Sequence, residues 1–172
     1  MEKPVVRITV KEYGTMDVEL YPDVAPISVK NFLELVEKNH YEGICFHRII
    51  KDFMIQAGGY YIQDNTVYDR ESNNTIKGEF SANGVVNNLK HEKGVISMAR
   101  TNDPNSASAQ FFICTATASH LDGNYAAFGK VIGEESYKVL DELNNVQTGF
   151  LSNAFANFPY PIVTIESIKK IN

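Results

Sequence analysis

Arg48 is the one charge in the run Phe46-His47-Arg48-Ile49-Ile50, and Gln56 follows it by eight positions. An unpaired charge is very costly to bury, so a guanidinium in strand-like sequence needs either a partner or a chemical task. Several familiar chemistries are missing. The chain has no G-x-S-x-G, no H-E-x-x-H, no G-x-x-x-x-G-K-[ST] and no G-x-G-x-x-G. His40, His47, His91 and His120 are scattered without metal-ligand spacing, and each reads as a hydrogen-bonded or surface histidine. Cys45 and Cys114 form no C-x-x-C pair and lie in apolar runs, where reduced, buried thiols are expected. What remains is a set of apolar residues and a few strong donors.

Strand parity sorts them. In Gln110-Phe111-Phe112-Ile113, Gln110 and Phe112 share one face while Phe111 and Ile113 take the other. A glutamine beside a phenylalanine on one face is odd for core and reasonable for a ligand groove. In the strand from Cys45 to Ile50, Arg48 shares a face with Phe46 and His47 points the opposite way. If Arg48 faces a groove, His47 is structural.

The elements that must carry these residues are legible in outline. Val6, Ile8 and Val10 alternate with polar neighbours, as do Met16, Val18 and Leu20, which predicts a β-hairpin around Glu12-Tyr13-Gly14-Thr15. From Ser28 the spacing of Val29, Phe32, Leu33 and Val36 predicts a helix ending near Asn39-His40. Short strands are expected over 45–50, 53–56, 95–99, 111–115, 126–132 and 162–168, with a second helix over 134–143 and an acidic start that suits the helix dipole. The stretch from Gly58 to Gly94 is rich in Asn, Asp, Ser and Gly and reads as a long, functional loop. The pattern indicates an all-β barrel or sandwich with helical additions.

At 172 residues the chain has the length of one domain, read as a single unit over 1–172. A chain of this size buries roughly 70% of its unfolded surface and needs no staple. Its 44% hydrophobic, 22% charged and 11% aromatic content is that of a globular protein. The net charge of -5 argues against nucleic acid as the main partner, which would favour a basic face. The stretch after Met1-Glu2-Lys3-Pro4 is too short, and too soon interrupted by Arg7, for a signal peptide. No run approaches the roughly 18 apolar residues of a membrane span. A cytoplasmic monomer without membrane contact is expected.

The segment from Phe46 to Gly59 resembles the F-H-R-[IV]-I-x-x-F-M-x-Q-G-G signature of cyclophilins, the peptidyl-prolyl cis-trans isomerases. Ser97-Met98-Ala99-Arg100, the stretch Asn105 to Ile113, Leu121-Asp122-Gly123 and Phe128-Gly129-Lys130-Val131 also resemble family motifs, in the family's order and in a bacterial style. The resemblance runs from about Val6 to Ile168. It implies a closed eight-stranded antiparallel β-barrel capped by two α-helices. A barrel of that size is filled by its own side chains, so substrate would bind on the outer wall.

The resemblance implies an enzyme acting on X-Pro bonds of unfolded or flexible proteins, assisting folding, with no cofactor and no metal. Such a bond prefers trans only slightly but exchanges over tens to hundreds of seconds. By resemblance Arg48 is the catalytic guanidinium, Phe53, Met54, Phe112 and Leu121 line a proline slot, and Gln56 holds the substrate carbonyl and orients Arg48. Ala99 and Arg100 would align the peptide through backbone groups, with Gln110 nearby and Tyr125 bounding the pocket. His120 stands where many members carry the tryptophan that helps hold cyclosporin, so the drug is expected to bind weakly. Ala57 replaces the first signature glycine, and Tyr60 to Thr66 replaces a glycine-rich loop, so substrate preference could differ. Two alternatives are a non-catalytic proline-peptide binder or holdase using the same groove, which intact Arg48 disfavours, and a lipocalin-type small-ligand barrel.

Overall fold

Alternating apolar residues build the first hairpin, β1 (Val5–Val10) and β2 (Gly14–Leu20), joined by a turn in which Glu12 and Gly14 take positive φ. The computed structural model describes residues 2–70, 72 and 74–172. Helix α1 (Pro26–Glu37) follows, then β3 (Phe46–Ile50) and β4 (Met54–Ala57). A small hairpin, β5 (Tyr60–Gln63) and β6 (Thr66–Asp69), precedes a long irregular segment. Strands β7 (Val95–Met98), β8 (Phe111–Cys114) and β9 (Ala127–Ile132) lead to α2 (Glu134–Asn144). Two-residue strands β10 (Thr148–Gly149) and β11 (Phe158–Pro159) pair with each other before β12 (Ile165–Lys170) closes the chain.

Eight strands form one curled antiparallel sheet in the order β12-β1-β2-β9-β7-β8-β4-β3. Its concave face and both helices enclose the main core. Phe32 of α1 lies there 5.6 Å from Phe111 and 5.4 Å from Phe128, measured between ring centres. Val139, Leu140 and Leu143 of α2 complete it from the other side. The expected closed barrel is corrected to an open half-barrel, because among the described residues no ladder joins β3 to β12. The two edges touch at one corner, where Phe46 N donates to Val163 O at 2.9 Å and Ile165 N to Ile44 O at 2.7 Å. Further along β3, Ile49 N donates instead to Asn157 O, so the segment before β12 occupies the edge that closure would need.

One parity reading also changes. The β3–β4 register shifts between Phe46 and Arg48. An extra residue in one strand re-aims its neighbours. Phe46 therefore joins the main core with Ile49, whereas Arg48 emerges on the convex face.

The long segment after β6 is tied down by a buried carboxylate. Helix α1 begins at Pro26 with Ala25 as N-cap, which offers no side-chain acceptor. Glu79, only 2% exposed, takes that role from a distance. Its Oε1 accepts from Ser28 N and Ser28 Oγ, both at 2.7 Å, and its Oε2 accepts from Ile27 N at 3.1 Å. A negative group suits the positive end of a helix, and these donors would otherwise be unpaired. Asn87 then donates to Glu79 O and to Ala127 O, binding the segment to β9. Replacing Glu79 by alanine should lower unfolding free energy by about 2 kcal/mol, with a smaller loss for Glu79→Gln. Urea titration checks this, and a midpoint unchanged in both variants would contradict it.

Candidate active site

Antiparallel register places the chemistry in one line. Arg48 of β3 pairs with Gln56 of β4, Gln56 with Phe112 of β8, and Phe112 with Ser97 of β7. Paired residues project to the same side of a sheet, and here that side is the convex one. Ile55, Ala57, Phe111 and Ile113 alternate with them and fill the main core. The convex face carries a second, separate apolar cluster of Met54, Phe112, Cys114, Ala118 and Leu121, with Ile50, Phe53, Ala99 and Tyr125 against it.

Within this cluster lies a cavity of about 120 Å³ lined by Arg48, Phe53, Met54, Gln56, Ala99, Arg100, Phe112, Leu121 and Tyr125. Nine of the expected site residues thus converge on it. The Tyr125 ring meets Phe112 edge-on at 5.7 Å. The other two expected residues stand at its margins. Gln110 lines an adjoining cavity, and the exposed His120 ring lies tilted against Phe53 with centres 5.5 Å apart.

Arg48 is exposed, and its Nη1 donates to Gln56 Oε1 at 3.3 Å. Gln56 Nε2 in turn donates to Gln110 Oε1 at 3.0 Å. This relay fixes which end of the Gln56 amide faces the guanidinium. Among the described residues no carboxylate pairs with Arg48, so most of its five N–H groups remain available. Arg100 is the contrast. Its guanidinium lies between the rings of Phe80 and Tyr125, at 4.9 and 4.7 Å, and donates to Asn124 O and Thr101 O. That side chain is a wall rather than a free donor.

The adjoining cavity is larger, about 430 Å³. It shares Gln56, Ala99 and Arg100 with the slot and is bounded by Tyr60, Asp69 and Arg70 of the β5–β6 region. This hairpin lies within the stretch Gly58 to Gly94, whose composition predicts loop. The signal was present: Asp64 and Asn65 both adopt positive φ in the turn, flanked by Tyr61-Ile62 and Val67-Tyr68. Residues Asp and Asn favour such two-residue hairpin turns. Arg70 anchors the hairpin by donating to His40 O and stacking 4.9 Å from the Tyr61 ring.

Nucleophilic thiol chemistry finds no support in this geometry. Burial pushes both Cys45 and Cys114 up to about 12. Among the described residues no group of three or more His, Cys, Asp or Glu side chains is placed to hold a metal ion.

A family model described as cyclophilin type peptidyl-prolyl cis-trans isomerase matches residues 5–170. The chain belongs to the cyclophilin family. A peptidyl-prolyl cis-trans isomerase of Acinetobacter baylyi is 40% identical over 92% of this chain and 82% of its own length. The cyp18 isomerase of Streptomyces antibioticus is 38% identical over 91% of this chain and 92% of its own. A cyclophilin-type isomerase of Cryptosporidium parvum, crystallised in the presence of the dipeptide Ala-Pro, superposes with a TM-score of 0.77 at 29% identity. It covers 98% of this chain and 99% of its own. This cyclophilin is accordingly a peptidyl-prolyl cis-trans isomerase that acts on X-Pro bonds.

In this cyclophilin His47, next to Arg48, is 5% exposed and packed edge-on against Tyr60 at 4.7 Å and Phe155 at 6.1 Å. Its Nδ1 is buried without a partner among the described residues. Burial, and then the Arg48 charge, lower its pKa from 6.5 to about 4. The unfolded chain therefore takes up this proton at a higher pH than the folded one. Stability associated with neutral His47 is complete above pH 6.5 and is lost as pH falls toward 4. The expected loss is on the order of 3 kcal/mol, added to that from His40 and His91, which burial also lowers. Denaturant midpoints followed down this pH range should fall less steeply in His47→Phe; an equal slope would refute the assignment.

Proposed function

We propose that Arg48 is the electrostatic catalyst of X-Pro isomerisation and that the small convex cavity holds the proline ring. The carrying observation is the row Arg48–Gln56–Phe112, which sets a guanidinium that meets no carboxylate among the described residues beside the slot built on Met54, Phe112 and Leu121. The barrier to rotation, about 18–20 kcal/mol, comes from amide resonance. Twisting the bond localises the lone pair on the prolyl nitrogen. A guanidinium aimed at that nitrogen stabilises the twisted amide more than either planar state, and only such differential stabilisation accelerates the reaction. No bond to substrate forms and no net proton transfer occurs.

The other residues take supporting roles. Met54, Phe112 and Leu121 form the floor and walls of the slot, and Phe53 forms its rim. Gln56 offers an amide N–H to the substrate carbonyl and holds Arg48 through its oxygen. Ala99 and the Arg100 backbone align the peptide where the two cavities meet. The substrates are proline-containing peptides and flexible proteins, in keeping with the Ala-Pro present in the related crystal. A non-catalytic binder needs only the apolar slot and backbone donors, and leaves the free guanidinium unexplained.

The test is exchange of a short X-Pro peptide. Arg48→Ala should lower kcat/KM roughly 100- to 1,000-fold while peptide binding survives. Wild-type activity in Arg48→Ala would overturn the assignment.

A further inference from the structure

The row that builds the site does not stop at Phe112. It continues to Ser97, paired with Phe112 across β7 and β8 and fully buried. Over this end of the row lies His91, 1% exposed. Its ring is nearly parallel to that of Phe112, with centres 6.0 Å apart and planes 18° apart. Phe112 also meets the Tyr125 ring in a T-shaped arrangement.

His91 is bonded on every side. Its Nε2 is 2.9 Å from Ser97 Oγ, and its Nδ1 is 2.9 Å from Asp122 Oδ1. Its backbone N–H donates to the same Asp122 oxygen at 2.7 Å, and its carbonyl accepts from Ala118 N at 2.8 Å. A carboxylate oxygen accepts, so Nδ1 carries the proton and Nε2 of the neutral ring accepts from the Ser97 hydroxyl. The three residues have the composition of a hydrolytic triad. Ser97 has no exposed surface, however, so no substrate carbonyl reaches its oxygen.

The two partners of His91 belong to the slot's supports. Ser97 stands beside the base of Phe112. Asp122 directly follows Leu121, whose turn is closed by Leu121 N donating to Ala118 O. One imidazole therefore touches the ring that floors the slot, the strand beside it and the turn that carries the opposite wall.

We infer that His91 is a positioning residue: through Ser97 and Asp122 it fixes the separation of Phe112 from Leu121, and so the width of the proline slot, without touching substrate. This rests on the slot assignment made above. Arg48 sits at the far end of the row, on β3, three strands away from Ser97 with β8 and β4 between them. Loss of the His91 bonds should thus weaken capture of the proline ring more than the twisting step.

The test compares Asp122→Ala, Asp122→Asn, His91→Phe and Phe112→Ala in peptide exchange kinetics. An amide oxygen at position 122 can accept both His91 bonds. Asp122→Asn should therefore keep KM within roughly twofold of wild type, while Asp122→Ala and His91→Phe raise KM about tenfold with a smaller change in kcat. Asp122 is partly exposed, with 21% of its side-chain surface accessible, so its variants report even if His91→Phe fails to fold. A purely structural role would lower the melting temperature of Asp122→Ala and leave KM and kcat unchanged at the assay temperature, which overturns the inference. If Phe112→Ala also leaves KM unchanged, the slot assignment itself has failed and the inference falls with it. A raised KM in Phe112→Ala with unchanged KM in Asp122→Ala refutes the inference alone.

Discussion

Antiparallel register across β3, β4, β8 and β7 is the constraint on which the site depends. Side chains alternate along a strand but line up across strands. Once Ile55, Ala57, Phe111 and Ile113 are committed to the concave core, Gln56 and Phe112 have only the convex face left. The bulge before Arg48 then delivers the guanidinium to that face, beside Gln56. A register slip of one residue in β4 would send Gln56 inward and Ile55 outward, losing core and site together. Stability of the half-barrel and geometry of the site are thus one property.

Electrostatics explains why the two arginines differ. Both are near the slot, and both could donate. Arg100 is consumed by two aromatic rings and two carbonyls, so it contributes shape. Arg48 keeps donors in reserve, and its one side-chain tie among the described residues, to Gln56, aims rather than neutralises it. Beside apolar Met54, Phe112 and Leu121 a bound proline would exclude water, and a charge acts more strongly where the local dielectric is low. The neighbouring His47 takes up the matching constraint: buried beside a fixed cation, it stays neutral over the ordinary pH range.

Much of this was legible in the sequence, for physical reasons. Period-two alternation marked β1 and β2, and the 3.6-residue spacing of Val29, Phe32 and Val36 marked α1. Parity placed Gln110 and Phe112 on an outer face. The misses have equally local causes. Barrel closure depends on whether β12 or the segment before it lies along β3, a tertiary choice that no periodicity records. The face of Phe46 was misread because a bulge leaves no mark in composition. Glu79 was invisible as a helix cap because its partners are 51 and 52 positions away. For His91 the spacing leaves a hydrogen-bonded and a surface histidine equally open, and its link to Phe112 and Asp122 exists only in three dimensions.

The central claim is that charge on Arg48, rather than its bulk, accelerates isomerisation. Semisynthetic replacement of Arg48 by citrulline keeps the planar side chain and several N–H groups but removes the charge. NMR exchange spectroscopy on a saturated X-Pro peptide would then give the on-enzyme cis–trans rate separately from affinity. The account predicts an exchange rate lowered roughly 100-fold or more with peptide affinity unchanged. An unchanged exchange rate in the citrulline protein would contradict it.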